Sequence, residues 1–142
     1  MLIAHPAIRR VNFTGSTRVG RIIAETAGRH LKPVLLELGG KAPLLVLDDA
    51  DLDQAVNAAA FGAFIYQGQV CMSTERVVVD EKIADDFVSK FAAKAQSLPA
   101  GNPRNGNIVL GPMIGVASAE RVEGLIKDAV AKGREACGGW SA

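Results

Sequence analysis

Three short stretches carry residue types that can do chemistry. In Tyr66-Gln67-Gly68-Gln69-Val70-Cys71-Met72 a cysteine follows a glycine turn that interrupts a long amphipathic helix. A turn at an element's end can present a thiolate to a pocket with backbone N–H groups nearby, and a thiolate is the strongest ordinary side-chain nucleophile. Most solitary cysteines, however, are small buried hydrophobes. That structural reading is the one given to Cys137, which stands in an apolar stretch near the end. In Leu36-Glu37-Leu38-Gly39-Gly40-Lys41 a carboxylate lies between apolar neighbours at the end of an expected buried strand. Burial raises a carboxylate's pKa toward the range of a general base at neutral pH. The pattern alone favours the plainer alternative, an edge glutamate facing water or paired with Lys41. In Phe13-Thr14-Gly15-Ser16-Thr17-Arg18-Val19-Gly20, glycines flank the first turn of an expected helix that follows a strand. Free N–H groups at the positive end of such a helix suit a pyrophosphate. Glycine and serine are also common at strand-to-helix turns for steric reasons, and the spacing is not the dinucleotide G-x-G-x-x-G fingerprint.

The elements that must position these residues follow from hydrophobic periodicity. Arg10 to Phe13 alternates as a short strand, and Thr14 to Thr17 suits a turn with a helix N-cap. Val19, Ile22, Ile23 and Ala27 then mark one helix face, with Gly28 near the far end. After Pro33, Val34-Leu35-Leu36 predicts a buried strand bounded by Gly39-Gly40, and Leu44 to Leu47 a second. Asp48, Asp49, Asp51 and Asp53 open a helix lined by Leu52, Val56, Ala59, Ala60, Ala63 and Phe64, with Gly68 expected to end it. Arg76 to Val79 predicts a strand. Ile83, Phe87, Phe91 and Ala95 mark a helix, and Pro99 to Asn107 a polar loop. Val122, Leu125, Ile126 and Ala129 give a last helix, and Arg134 to Cys137 is read as the start of a strand with little chain after it. Strands alternating with helices predict an α/β fold with largely parallel pairing.

Composition limits the partners. The 142 residues are 49% hydrophobic and 22% charged, the balance of a soluble globular protein. Sixteen Lys and Arg against fifteen Asp and Glu leave a formal charge of +1 with no basic block, so neither nucleic acid nor a membrane surface is indicated as a partner. Cys71 and Cys137 stand alone, without metal or disulfide spacing, which fits a reducing compartment. With no signal-peptide pattern at Met1 to Pro6 and no apolar run of about 20 residues, a cytoplasmic location is the expectation. His5 and His30 read as surface or packing residues.

Taken together, the three stretches resemble the aldehyde dehydrogenase superfamily in order and spacing. Phe13-Thr14-Gly15-Ser16-Thr17 looks like its cofactor-binding turn, Leu36 to Pro43 like its glutamate signature, and Gly68-Gln69-Val70-Cys71 like its cysteine signature. Glu37 and Cys71 lie 34 residues apart, as in the family. Glu75-Arg76-Val77 and Leu110-Gly111-Pro112-Met113-Ile114 match as well, and Cys71-Met72-Ser73-Thr74-Glu75-Arg76 is similar to the branch that oxidises aromatic aldehydes. The resemblance implies a partial α/β fold: residues 1–37 as the C-terminal part of a Rossmann-type cofactor-binding domain, and 38–142 as the N-terminal part of the catalytic domain. It implies NAD or NADP as cofactor and a small-molecule aldehyde as substrate, and full-length family members are homo-oligomers.

It also implies roles. Cys71 attacks the aldehyde carbon to give a thiohemiacetal, whose hydride passes to the nicotinamide and leaves a thioester. Glu37 activates the water that hydrolyses it, and the N–H of Cys71 donates to the oxyanion. Phe13, Thr14, Gly15, Ser16 and Gly20 form the pyrophosphate turn, and Leu38 and Gly39 lie beside the nicotinamide. The family's oxyanion asparagine, its adenosine-ribose lysine and glutamate, and its Glu-x-Phe-Gly-Pro segment have no counterpart among these residues. Met1 is therefore read as opening a truncated reading frame, and the chain is expected to be inactive alone. Tyr66 stands where many relatives carry asparagine, and Asn102 where aspartate is common. Two alternatives are a non-catalytic remnant or interaction module, and a CoA-acylating relative that passes the thioester to a thiol. Glu37 favours water over the latter.

Overall fold

A computed structural model describes residues 2–137, which fall into two compact units divided between Gly40 and Lys41. The first unit is a strand–helix–strand element. β1 (Val11–Gly15) and β2 (Val34–Leu38) pair in parallel, and α1 (Thr17–Arg29) connects them and packs on one face. Val11, Phe13, Val34, Leu36 and Leu38 turn half-buried toward that side, while Asn12, Thr14, Leu35 and Glu37 alternate outward. The sequence reading expected β2 to be buried. Leu35 is 44% exposed, because a two-stranded sheet with a helix on one face leaves its other face in water. Ile22, expected on the apolar face of α1, is likewise exposed; Gly20 and Ala27 are the buried positions.

α1 runs through Gly28, and the residue that ends it is Leu31, left-handed at φ 52. The N–H groups of Lys32 and Leu31 bond the carbonyls of Ala27 and Gly28, the pairing that normally recruits a glycine. Lys32 Nζ then donates to the carbonyls of Ile3 and His5, which fixes the first turn, Leu2–Ala4, to the helix end. His5 accepts from the N–H of Ala7 and His30 caps α1; both are exposed, as a surface role requires.

The second unit repeats the pattern and adds a core. β3 (Ala42–Val46) and β4 (Thr74–Val79) pair in parallel, α2 (Leu52–Phe64) lies between them in sequence, and α3 (Ala84–Gln96) packs on α2. Val46, Val56, Ala59 and Phe87 form the buried cluster, with Leu44, Leu52, Val77, Val79, Ile83 and Phe91 against it. Phe87 and Phe64 each stack on Phe91, with ring centroids 5.7 and 6.0 Å apart. Burying one such ring contributes about 1.5–3 kcal/mol. Here too the strands are covered on one side only, so Leu45 and Leu47 are exposed instead of buried. Asp51 caps α2 through the N–H of Gln54 at 3.0 Å, and Lys90 bridges α3 to Asp53 at 2.5 Å.

α2 stops at Phe64, four residues before Gly68. The loop after α3 holds one short turn, Pro103–Asn105, capped by Asn102 Oδ1 accepting from the N–H of Arg104. An asparagine oxygen fills that acceptor role as an aspartate would. α4 (Val116–Ala131) begins before its first expected landmark, Val122, and has no buried residue. The expected strand at Arg134 to Cys137 does not form. Gly133, at φ 81, closes α4 with its own N–H on Val130 and that of Arg134 on Ala129, and Arg134 to Cys137 pair with no strand among the described residues. Among the described residues no helix is long and apolar enough to cross a membrane.

Candidate functional site

In the first unit, the parallel register sets Phe13 beside Leu36, Thr14 beside Glu37 and Gly15 beside Leu38. The expected phosphate turn and the expected base thus share the carboxyl ends of two neighbouring strands, the end of an α/β sheet where ligands bind. Sequence reasoning placed Glu37 at the end of its strand. Pairing with Thr14 extends β2 through it.

Ser16 supplies the N-cap: its Oγ accepts from the N–H of Val19 at 3.3 Å, and its carbonyl from the N–H of Gly20 at 2.9 Å. Thr17 and Arg18, the first two helical residues, then have N–H groups with no intrahelical acceptor. The glycines act differently. A Cβ on Gly15 would stand 2.6 Å from the ring of Phe13, so this glycine lets the ring fold over the turn. A Cβ on Gly20 would stand 2.7 Å from Leu38 Cδ2. Gly20 is buried and serves the turn by admitting Leu38 against α1, not by facing solvent. Gly39 follows β2 and is exposed.

Glu37 is exposed, which fits the plainer reading of an edge glutamate facing water. The other half of that reading, a pairing with Lys41, is not found, because Lys41 forms an ion pair with Glu75.

The second unit carries Cys71. After α2 the backbone passes through Tyr66 at φ 49, Gln67 at φ 59 and Gly68 at φ 71, all left-handed. Only the glycine does this freely; a side chain costs about 1–2 kcal/mol per residue there. Asparagine tolerates the region better than tyrosine. A Cβ on Gly62 would fall 2.4 Å from Thr74 Oγ1, which brings the end of α2 close to the start of β4. Cys71 is exposed, as are Met72 at 78% and Cys137, which the sequence reading had taken for a buried hydrophobe. Ser73, two residues on, is buried, and its hydroxyl meets no hydrogen-bond partner among the described residues.

Two residues that sequence reasoning passed over hold this turn. Gln69 Nε2 donates to the carbonyl of Tyr66 at 3.0 Å, and its Oε1 accepts from the N–H of Ile114 at 3.2 Å. The amide oxygen of Gln67, oriented to suit its neighbours, accepts from the N–H of Gly111 at 2.8 Å. The available signal was the pair of amides flanking Gly68, but nothing local names acceptors or donors more than forty positions away. A cavity of about 640 Å³ lies against the back of the turn, lined by Ala60, Phe61, Phe64, Tyr66, Gln67 and Pro112 among others. Its size would suit a small molecule. Cys71 does not line it, so it is not where that thiol would meet a substrate. Among the described residues no group of three or more His, Cys, Asp or Glu could hold a metal.

The known proteins that this chain resembles agree among themselves. The model of the aldehyde dehydrogenase family matches residues 1–141. A vanillin dehydrogenase from Pseudomonas fluorescens is 64% identical over 93% of this chain and 27% of its own length. The crystal structure of a salicylaldehyde dehydrogenase from Pseudomonas putida G7, complexed with salicylaldehyde, superposes with a TM-score of 0.90 at 61% identity. It covers 93% of this chain and 28% of that one. A betaine aldehyde dehydrogenase from Staphylococcus aureus, in complex with NAD+, gives 0.88 at 31% identity, over 93% and 26%. The chain therefore spans a little over a quarter of the length of these relatives.

Proposed function

Because the chain belongs to the aldehyde dehydrogenase family, we propose that it supplies the nucleophile, the base and the pyrophosphate turn of an enzyme that oxidises an aromatic aldehyde to its acid. The thiolate of Cys71 adds to the aldehyde carbon, and the carbonyl oxygen becomes an oxyanion that accepts from the N–H of Cys71. Loss of hydride turns the adduct into a thioester on Cys71. Glu37 takes a proton from water as the oxygen attacks the thioester carbon, the C–S bond breaks to release the acid and the Cys71 thiolate, and Glu37 then gives its proton to solvent. Bound NAD or NADP supplies the hydride acceptor. The free N–H groups of Thr17 and Arg18, with Phe13, Thr14, Gly15 and Ser16, fit its pyrophosphate, Gly20 supports that turn from below, and Leu38 and Gly39 stand on the nicotinamide side.

The observation that carries this reading is the strand register, Thr14 beside Glu37 and Gly15 beside Leu38, which gathers the turn and the base at one sheet edge. The preference for aromatic aldehydes rests on the vanillin and salicylaldehyde relatives. We place the full reaction in the chain together with the segments that its relatives possess beyond it.

A chimera tests this: residues 1–137 replace the matching stretch of the Pseudomonas putida salicylaldehyde dehydrogenase, and reduced cofactor is followed by absorbance. The chimera should turn over salicylaldehyde, Cys71→Ser should abolish turnover, and Glu37→Gln should slow acid release more than the first burst of reduced cofactor. Equal burst and release in the Glu37→Gln chimera would refute the base. Robust turnover by the isolated chain would refute its dependence on further segments.

A further inference from the structure

We propose that Gln69, assisted by Gln67, is the positioning residue for the Cys71 turn, tying its left-handed backbone to the segment from Gly111 to Ile114. This rests on the reading of Cys71 as the nucleophile. After Phe64, local preference would carry the chain onward as right-handed helix or release it as extended strand, since two of the next residues meet steric resistance at positive φ. Such a conformation persists only where its surroundings over-determine it. The surroundings in question are few. Both the backbone N–H and the Nε2 of Gln69 donate to the carbonyl of Tyr66, at 3.1 and 3.0 Å, which closes the turn upon itself. Gln69 Oε1 then accepts from Ile114, and Gln67 from Gly111, which anchors the closed turn to a distant segment.

One side-chain amide thus joins two points, the carbonyl of the first left-handed residue and a segment 45 positions on, while the backbone N–H of the same residue binds that carbonyl too. Cys71 follows Gln69 by two residues, and Ser73 is buried beyond it, so the thiol's presentation is set between a clamp and an anchor. Tyr66 adds to what the clamp must hold, since a bulky residue occupies a position at φ 49.

Hydrogen exchange on the full 142-residue chain, read by mass spectrometry, tests the proposal without aldehyde or cofactor. Gln69→Ala should speed exchange about tenfold in peptides covering 65–72 and 110–115, the scale of one lost hydrogen bond, and leave the peptide around Phe87 unchanged. Adding Tyr66→Asn should bring 65–72 back toward the parent rate while Ile114 stays fast, a rescue that loss of general stability would not produce. Unchanged exchange at both segments, or an equal rise around Phe87, would overturn the proposal. Should Gln69→Ala fail to fold, Tyr66→Asn alone decides: slower exchange at 65–72 supports a strained, held turn, and unchanged or faster exchange overturns it. Because no turnover is measured, a failed clamp and a failed nucleophile give different results.

Discussion

At the start of α1, Ser16 sits in extended backbone at φ −73 and caps the helix with its own hydroxyl, three residues from the N–H it serves. After α2 the chain instead takes three left-handed steps and is tied down by amides that reach to Gly111 and Ile114. The two turns flank the residues assigned to cofactor and to nucleophile. The first obeys local rules, with a cap, a small residue under Leu38 and a strand that ends where its partner ends. The second departs from local preference and depends on long-range contacts. On the proposed reading, a binding turn built from backbone N–H groups needs only a helix end, whereas a nucleophile must be aimed, and the turn before Cys71 carries strain.

The contrast is tested most strongly at Gly68. Gly68→Ala places a Cβ at φ 71 and 3.2 Å from the carbonyl of Ala63, and should lower stability toward urea by about 1–2 kcal/mol. A neutral result would mean that the turn is not left-handed in solution. Ser16→Ala should cost less, about 1 kcal/mol, and Ser16→Asp should recover most of it, because the lost element is a single local cap. If Ser16→Ala proved the costlier, the division between self-supporting and externally held turns would be reversed.

The smallest effect concerns pH and the cap at the other end of α2. The N–H of Gln54, and then its side-chain amide, hold the Asp51 carboxyl below the ordinary aspartate value of 3.8. A depressed value in the folded state means stability that is present above the unfolded value and lost as pH falls through the folded one. The drop in melting temperature caused by Asp51→Ala should therefore be full at pH 7 and fade below pH 3.8. A drop that persisted unchanged in acid would assign the effect to helix propensity and not to the charged cap.

Where local chemistry decides, the sequence was readable. Alternation and short apolar runs gave the four strands seen among the described residues, the turn at Thr14 to Thr17 and the acidic group from Asp48 to Asp53 gave the starts of α1 and α2, and the order of the three motifs gave the family. Burial was misjudged at Leu35 and Leu45, because an apolar run does not reveal how many layers will cover it, whereas the pattern around Glu37 favoured an edge carboxylate facing water or paired with Lys41, and Glu37 is exposed. The end of α2 was misplaced at Gly68, since a glycine marks left-handed backbone but does not show that Tyr66 and Gln67 share it. The clamp was not readable at all: a glutamine flanking a cysteine looks polar and ordinary until Ile114 is brought beside it. Arg134 to Cys137 was read as the start of a strand, but these residues find no strand to pair with among the described residues.

Cys71 and Met72 stand side by side in the open, with a second free thiol at Cys137. Sulfur so accessible is vulnerable to air: thiols join into crosslinks between molecules or advance to sulfenic acid, and the neighbouring thioether becomes a sulfoxide. Purified without reductant, this chain should accumulate covalent dimers and mass gains of single oxygen atoms at these residues, so storage history bears directly on any measured loss of thiol reactivity.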